Sequence, residues 1–343
     1  MVSCLVYAPA ADHNEPGHPE NPGRMEAIYS LLEKEGILDQ LSIVEPVLAS
    51  IDQIALVHKP ELIKRIEYIS IQGGGRIDAD TYCTAESYRL ARIAAGSICE
   101  LTDTILTGEA RNGISIIRPP GHHAEIDRAM GFCLFNNIAI AARYAQKMHN
   151  IERILIIDFD VHHGNGTQDI FYNDPSVMFI SLHLFHPFFY PGTGNTSENG
   201  VGDGRGYTIN IPFGVGAGDS GYFQAFSELI RPLANEFKPE LILVSAGFDA
   251  HWIDPLAAAR LTLAGYFQMT QFILKMAGEL CQDRLIFCLE GGYNYEALSF
   301  GVLNVVRALL GVDTPLDPLG NSPKPEADMT NLLTHLCQLY LPE

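Results

Sequence analysis

The amino-acid sequence predicts a single α/β domain built on a mainly parallel, multi-stranded sheet with helices on its faces. Short apolar runs rich in β-branched residues alternate with longer segments of helical period. Several of these runs are apolar at nearly every position, such as ILII at residues 154–157 and LILV at residues 241–244, which suits strands covered on both faces. His, Asp or Gly residues follow most of the runs, so we expect an active site at the carboxyl ends of the strands, where open α/β sheets bind ligands.

The strands are predicted at Ser3–Tyr7, Gly113–Ile117, Arg153–Asp158, Val177–Leu182, Tyr207–Ile211, Leu241–Ala246 and Leu285–Leu289. Helical period is found at 85–107 and 222–237. No linker interrupts the first ~310 residues, so we expect a domain over residues 1–312 and a tail over 313–343. The tail is rich in Pro and Gly before a short amphipathic helix at 329–341, which could pack on the body or join subunits.

Composition favours a soluble, globular protein inside the cell. The 343 residues are 47% hydrophobic, but no apolar run approaches the ~18 residues of a membrane span, and the N-terminus does not resemble a secretion signal. Seven cysteines without a CxxC pair fit a reducing compartment. We therefore expect a cytoplasmic protein, or one of an organellar stroma if the source is a plant, that is not secreted and binds no membrane.

The charge argues against nucleic acid as a partner, because phosphate binding depends on clustered Lys and Arg and the net charge is -19. Cationic partners such as polyamines or lysine-rich peptides would be attracted instead. An acidic surface that serves only solubility explains the charge equally well.

The segment IIDFDVHHGNGT, at 156–167, leads from an apolar strand into a dense group of potential ligands. Asp160 and His162 are two residues apart, so on an extended backbone they point to the same side. Asp249, in SAGFDAH, follows another strand. One imidazole and two carboxylates suit a zinc ion with an open position, as in hydrolytic sites. A lone Asp-x-His pair is more often a surface turn or a satisfied polar cluster.

Two further segments supply groups for acid–base chemistry. RPPGHHA, at 118–124, offers His122 and His123, and a neutral imidazole is the usual general base near pH 7. Asp158 and Asn165 are candidates to bond their second ring nitrogens. LEGGYN, at 289–294, presents Tyr293, whose hydroxyl could stabilise an oxyanion. Taken alone, the histidines could be capped loop residues and the tyrosine an ordinary half-buried one.

Together these motifs resemble the histone deacetylase and acetylpolyamine amidohydrolase superfamily, nearest to class II enzymes and their bacterial and plastid relatives. HPENPGR, RPPGHHA, MGFCLFNN, DFDVHHGNGTQ, SLH, YPGTG, SAGFDA and EGGYN occur in the family's order between His18 and about Leu310. The resemblance implies an arginase-like fold and a hydrolase with one zinc ion per chain.

The resemblance also implies roles for individual residues. Zinc would be bound by Asp160, His162 and Asp249, His123 would be the general base and acid, and Tyr293 would be the oxyanion donor. His122 would be an electrostatic partner bonded to Asp158. Class I members carry Asp at the position of Asn165, and a neutral amide supports an imidazolium less than a carboxylate does.

Further positions follow from the same resemblance. The acyl tunnel and its rim would be formed by Phe132, Tyr190 (where Phe is common), Asp80, Leu256, Gly131 and Gly292. Potassium or sodium would bind at Asp158, Asp160, His162, Ser181 and Leu182, and a second such ion at Phe171, Asp174, Val177 and Tyr207.

Acyl-lysine peptides or small N-acetylated amines are the expected substrates, because Leu256 stands where polyamine-selective relatives carry Glu. Acetylpolyamine deacetylation is the first alternative. A non-catalytic binder of acyl-lysine would be expected to lose Tyr293 or a zinc ligand, and an arginase-type binuclear manganese enzyme would need more carboxylates near Asp160. The sequence leaves a homo-oligomer open.

Overall fold

The computed structural model describes residues 2–186 and 188–341, so the last two residues of the predicted tail lie outside the described part. The described residues form ten strands: β1 (Val2–Ala8), β2 (Ser42–Val44), β3 (Gly74–Arg76), β4 (Tyr82–Thr84), β5 (Ala110–Ile117), β6 (Ile154–Asp158), β7 (Val177–Leu184), β8 (Thr208–Phe213), β9 (Leu241–Ala246) and β10 (Leu285–Leu289). The helices are α1 (Gly23–Lys34), α2 (Ile51–Ile54), α3 (Pro60–Ile71), α4 (Ser87–Leu106), α5 (Asn137–His149), α6 (Asn165–Phe171), α7 (Asp219–Ala225), α8 (Arg231–Phe237), α9 (Leu263–Leu280), α10 (Tyr295–Leu309) and α11 (Thr330–Tyr340).

Eight strands form one sheet in the order β2-β1-β5-β10-β9-β6-β7-β8, and every neighbouring pair is parallel. The short strands β3 and β4 form a separate antiparallel pair. The predicted fold class, a single α/β domain with a mainly parallel sheet, is therefore confirmed.

The sheet is buried on both faces, as its apolar runs predict. Leu155 and Ile157 pack in one hydrophobic core together with residues of α1, α9 and α10. Ile154 and Ile156, which point the opposite way, pack in a second core with residues of α4 and α5. Parallel strands covered by helices on both sides have no polar face, and this explains the lack of alternation in the sequence.

The predicted helix at 222–237 is interrupted. A π-helical turn at Phe226–Ile230 separates α7 from α8. Pro232 lies at the start of α8 and lacks an N–H group, so it cannot donate the usual α-helical hydrogen bond to the carbonyl of Glu228 four residues earlier. The Sγ atom of Cys337, on α11, lies 3.6 Å from that carbonyl oxygen and can donate to it.

The tail helix α11 packs on the body of the domain. Leu333 and Leu336 are fully buried in the same core as residues of β8 and α7. The hydroxyl of Tyr340 donates to the Thr208 carbonyl on the edge strand β8. Of the two alternatives that the sequence left open, the structure shows packing on the body. None of the described helices combines the length and the apolar character needed to cross a membrane.

Candidate active site

The predicted functional side chains meet at the carboxyl edge of the sheet. They come from the loops that follow β5, β6, β9 and β10, which are the four central neighbours in the strand order. Because all four strands are parallel, their carboxyl ends lie side by side, and loops far apart in sequence are brought together.

Asp160, His162 and Asp249 form a compact cluster of possible metal ligands. Their donor atoms all lie within 4.8 Å of one another. The Nδ1 atom of His162 is 3.1 Å from Asp160 Oδ1 and 3.1 Å from Asp249 Oδ2. An imidazole nitrogen with two carboxylate oxygens is a donor set that fits a divalent ion such as zinc and leaves a coordination position open.

The local backbone differs from the predicted extended one. Strand β6 ends at Asp158, and Asp160 and His162 lie in the loop beyond it. Backbone N–H groups orient the carboxylates instead: Val161 donates to Asp249 Oδ1 at 2.9 Å, and Gly291 donates to Asp160 Oδ2 at 2.8 Å. A Cβ atom at Gly291 would collide with the carboxylates of Asp249 and Asp160, so the close approach of this backbone requires glycine.

The two tandem histidines have different partners. His122 Nδ1 lies 3.0 Å from Asp158 Oδ2, and His123 Nδ1 lies 2.7 Å from Asn165 Oδ1. The two rings are 3.9 Å apart between centroids, and both side chains are buried. Asp158 and Asn165, which the sequence predicted as hydrogen-bond partners of these histidines, are therefore in contact with them.

Their electrostatic environments also differ. Burial alone would lower the pKa of His122, but the carboxylates of Asp158 and Asp160 outweigh it and raise that pKa to about 10. Burial, with the charges of His122 and His162, lowers the pKa of His123 well below its ordinary value. At neutral pH the first imidazole is therefore charged and the second is neutral.

Tyr293 is held by its backbone. Asp254 Oδ2 accepts hydrogen bonds from the N–H groups of Tyr293, at 2.7 Å, and Asn294, at 3.0 Å. The Arg24 guanidinium lies 5.1 Å from the centroid of the Tyr293 ring. Burial raises the pKa of the Tyr293 phenol well above its usual value, so the hydroxyl stays protonated and able to donate.

A cavity of about 290 Å³ opens above these groups. Its lining includes five of the six residues predicted for the tunnel and rim, which are Asp80, Gly131, Phe132, Tyr190 and Leu256. The other lining residues are His123, His162 and Tyr293, which were also predicted for the site, and Phe189, which the sequence did not single out. Gly292, predicted for the tunnel, is not in this lining, and its carbonyl accepts a hydrogen bond from Arg24 Nε at 2.7 Å. Aromatic and aliphatic walls around few polar groups suit a long apolar substrate chain.

The rim of the cavity is tied to its wall through Thr81. The Thr81 hydroxyl donates to Asp80 Oδ1 at 3.0 Å and accepts from the Phe132 N–H at 3.1 Å. Phe132 has a positive φ of 67°, which is uncommon outside glycine. The hydrogen bond from its N–H to Thr81 therefore helps to hold Phe132 in this unusual backbone conformation.

The residues predicted for monovalent cations lie in two places around β7. Ser181 pairs with Asp158 in the parallel register of β7 and β6, with Leu182 next to it. Asp174 donates its N–H to the Phe171 carbonyl at 3.0 Å, and Tyr207 accepts from Phe179 at 2.8 Å close to the start of β7 at Val177.

Several residues of the site were missed by sequence reasoning. Glu290, which begins the EGGYN motif, is fully buried and accepts from the N–H groups of Gly121 at 2.7 Å and His122 at 3.2 Å. The Phe189 ring stacks on His162 with centroids 5.0 Å apart. The position of Glu290 directly after a buried strand was a usable signal. His163, in contrast, turns away and contacts Thr193 and Gln168.

An Asp-His-Asp cluster of possible metal ligands near paired histidines, at the carboxyl edge of a parallel sheet, is typical of the class of metal-dependent hydrolases. Comparison with known proteins gives the family. The histone deacetylase domain matches residues 18–309, and the chain belongs to the histone deacetylase family.

The relatives agree with this assignment. "Histone deacetylase 10, chloroplastic" of Oryza sativa subsp. japonica is 43% identical over 325 residues, which are 89% of this chain and 72% of that protein. A "Probable deacetylase" of Archaeoglobus fulgidus is 43% identical over 318 residues, 91% of this chain and 88% of that protein. A solved structure described as "Crystal Structure of HDA15 HD domain" has a TM-score of 0.91 at 36% identity and covers 99% of this chain and 96% of that one. The predicted resemblance to class II, plastid and bacterial enzymes is confirmed.

Proposed function

We propose that this member of the deacetylase and amidohydrolase family is a zinc-dependent enzyme that removes acetyl or related acyl groups from lysine side chains or small N-acetylated amines. The observation that carries the proposal is the meeting of Asp160, His162 and Asp249 beside a cavity that is also lined by His123 and Tyr293. Zinc bound by these three residues would polarise the acyl carbonyl and bring the pKa of a water molecule to ~7.

His123 is the proposed general base and acid. Its Nδ1 atom is engaged by Asn165, so Nε2 is the nitrogen free to take a proton from water and return it to the leaving amine. The lowered pKa of His123 keeps it neutral and ready to accept that proton at pH 7. His122, bonded to Asp158, would supply a fixed positive charge close by.

Tyr293 is the proposed oxyanion donor. Its protonated hydroxyl would donate a hydrogen bond to the carbonyl oxygen as negative charge develops there. The two backbone bonds to Asp254 limit how far the residue can move, which favours a donor aligned before the reaction begins.

The cavity supports a lysine-like substrate over a polyamine. Phe132, Tyr190 and Leu256 would contact the methylene chain, and none of them carries a charge that would hold a second ammonium group. Asp80 at the rim would bind the backbone of a peptide substrate. Acetylpolyamine deacetylation is the alternative, favoured by the net charge of -19.

The experiment is turnover of a mixed library of acetyl-lysine peptides, longer acyl-lysine peptides and N-acetylputrescine by the zinc-loaded protein, with metal analysis of the protein as isolated. We expect one zinc per chain and highest kcat/KM on a lysine-derived amide. A preference for N-acetylputrescine would favour the alternative. Binding without turnover would identify a non-catalytic binder, and two manganese ions per chain would identify an arginase-type site.

We also propose that residues 1–312 form the catalytic domain, with 313–343 as a tail that packs on it, and that potassium or sodium binds at the two groups of residues around β7. A reducing compartment, cytoplasm or organellar stroma, fits the seven free cysteines, six of them buried. A homo-oligomer would be detected by light scattering.

A further inference from the structure

Glu125 lies directly behind the partner of the proposed general base. It follows the tandem histidines by two residues, and its backbone is fixed from both sides. Its N–H donates to the Arg128 carbonyl at 2.8 Å, and its carbonyl accepts from His58 Nδ1 at 2.9 Å. The side chain is half-buried, and Glu125 Oε1 accepts from Asn165 Nδ2 at 2.9 Å.

These contacts form a chain of hydrogen bonds in which each residue donates to the next, from His123 to Glu125. His123 Nδ1 donates to Asn165 Oδ1 at 2.7 Å, and Asn165 Nδ2 donates to Glu125. The two ends of an amide have nearly the same shape, so its orientation depends on its neighbours. An ionised carboxylate can only accept, so Glu125 holds the NH₂ end and leaves the carbonyl facing His123. The other neighbours of Asn165 Nδ2, which are the His123 carbonyl at 3.5 Å and Met130 Sδ at 3.4 Å, are also acceptors.

The charge of Glu125 is not taken up by a cation. Among residues 2–186 and 188–341, no Lys, Arg or His forms an ion pair with it, whereas nearby Asp127 is paired with Lys59 at the surface. His122 has a carboxylate in direct contact, through Asp158. For His123 the nearest such group along the hydrogen bonds is Glu125, one amide further away.

We propose that Glu125 is a positioning residue for His123. It fixes the Asn165 amide so that the proton stays on His123 Nδ1 and the lone pair on Nε2, and it supports the imidazolium formed during turnover through the polarised amide. The inference rests on the proposed role of His123. It also changes the expectation drawn from Asn165 alone, because the neutral amide is backed by a carboxylate.

Single variants separate orientation from charge. Glu125→Gln keeps an acceptor for Asn165 Nδ2 but removes the charge, and we expect kcat to fall about tenfold. Glu125→Met, of similar size, also replaces the oxygen acceptor by a thioether, which is a far weaker one, and we expect a loss approaching ~100-fold. KM should stay within about twofold in both, because Glu125 does not line the cavity. Asp127→Asn, an equal change of charge at the exposed surface, is the control and should leave kcat unchanged.

A charge exchange tests the direction of the chain. Asn165→Asp alone would place two carboxylates in contact and should lower kcat strongly. In the double variant Asn165→Asp/Glu125→Gln, the new glutamine can donate its NH₂ to the carboxylate at position 165. We expect kcat of the double variant to be at least tenfold above that of Asn165→Asp. If the two substitutions acted independently, their losses would add and the double variant would be less active than Asn165→Asp.

Nitrogen-15 NMR of the histidine rings provides a readout that does not depend on turnover. The His123 signals, identified by their loss in His123→Ala, should show the Nδ1–H tautomer in the wild type and in Glu125→Gln, and a mixture of tautomers in Glu125→Met. Wild-type kcat in Glu125→Met, an unchanged tautomer there, or no recovery in the double variant would each overturn the proposal. If the wild type showed the Nδ1–H tautomer and Glu125→Met showed a mixture, but the wild type turned over no substrate, the positioning role would stand. Only the proposed function would then be refuted.

Discussion

Glu20 is fully buried between two guanidinium groups. Its replacement by glutamine tests how much this ion cluster stabilises the domain. Its carboxylate binds Arg118 in bidentate fashion, with Oε1 at 2.5 Å from Nε and Oε2 at 2.8 Å from a terminal nitrogen, and Arg24 lies at 3.2 Å. His13 lies 3.9 Å away, but burial lowers its pKa to about 4, so it is neutral at pH 7. In Glu20→Gln the two guanidinium groups would remain buried without their anion.

The pKa of Glu20 and the usual cost of breaking a buried ion pair both give the size of the expected decrease in the free energy of unfolding. Burial of Glu20 opposes its ionisation, but the charges and hydrogen bonds of Arg118, with the charge of Arg24, outweigh burial and lower its pKa from 4.5 to about 2. Since a tenfold change in a protonation equilibrium is worth about 1.4 kcal/mol, this lowering corresponds to about 3 kcal/mol of folding free energy. Removing one partner of a buried ion pair costs about 3–5 kcal/mol. We therefore expect Glu20→Gln to lower the free energy of unfolding by about 3 kcal/mol at pH 7.

The stabilisation by Glu20 should decrease at acidic pH. Because the pKa of Glu20 is lower in the folded state, its contribution is complete above the unfolded value of 4.5 and is lost as pH falls towards 2. Urea unfolding of the wild type and the variant, followed by circular dichroism, should give a difference of about 3 kcal/mol at pH 7 that narrows to about 1 kcal/mol at pH 3.

The control is Glu86→Gln, because Glu86 is paired with Arg89 at the surface with 45% of its side chain exposed. Exposed pairs contribute little, so less than about 1 kcal/mol is expected at any pH. If the difference between wild type and Glu20→Gln stayed constant from pH 7 to pH 3, the electrostatic explanation of the cluster would be wrong.

Three other variants test the site and the tail. Tyr293→Phe should lower kcat by ~10²–10³ with little change in KM, whereas Tyr295→Phe, which loses only a hydrogen bond to Asn21, should not; full activity of Tyr293→Phe in a steady-state assay would rule out its role as oxyanion donor. Asp249→Asn should weaken zinc binding at least ~10-fold, measured as metal per chain in chelator-buffered zinc, and undiminished metal content would exclude Asp249 as a ligand. Leu336→Ala should destabilise the fold by about 2–5 kcal/mol in urea because the side chain is fully buried, whereas Leu339→Ala, 47% exposed on the same helix, should cost less than about 1 kcal/mol; equal effects would contradict packing of the tail on the body.

The strands were predictable from sequence because burial on both faces leaves a continuous apolar run. The predicted and observed bounds agree at Leu241–Ala246 and Leu285–Leu289. The short strands β2, β3 and β4 gave no such signal, since each has three residues and β3 begins with two glycines. The π-helical turn before Pro232 was also missed, because apolar periodicity does not resolve a local change of hydrogen-bond register.

The site was predictable as far as it depends on which residues follow which strands. Asp160, His162 and Asp249 were expected to meet, and they do, although through a loop rather than an extended strand. The surrounding charges could not be foreseen in the same way. Nothing in the sequence distinguishes the buried Glu20 from exposed acidic residues, because its burial depends on Arg118, which a remote segment supplies.

The central position of β10 has a consequence for synthesis of the chain. This strand lies between β5 and β9, although it follows all the other described strands in the sequence. Until residues 285–289 leave the ribosome, two sheet fragments of three and four strands each expose an unpaired edge, and such edges favour aggregation. The fragment with β6 and β9 carries Asp160, His162 and Asp249, so these candidate metal ligands would be synthesised together before Gly291 and Tyr293, which follow β10. Chaperone demand should therefore be highest in the interval before β10 emerges.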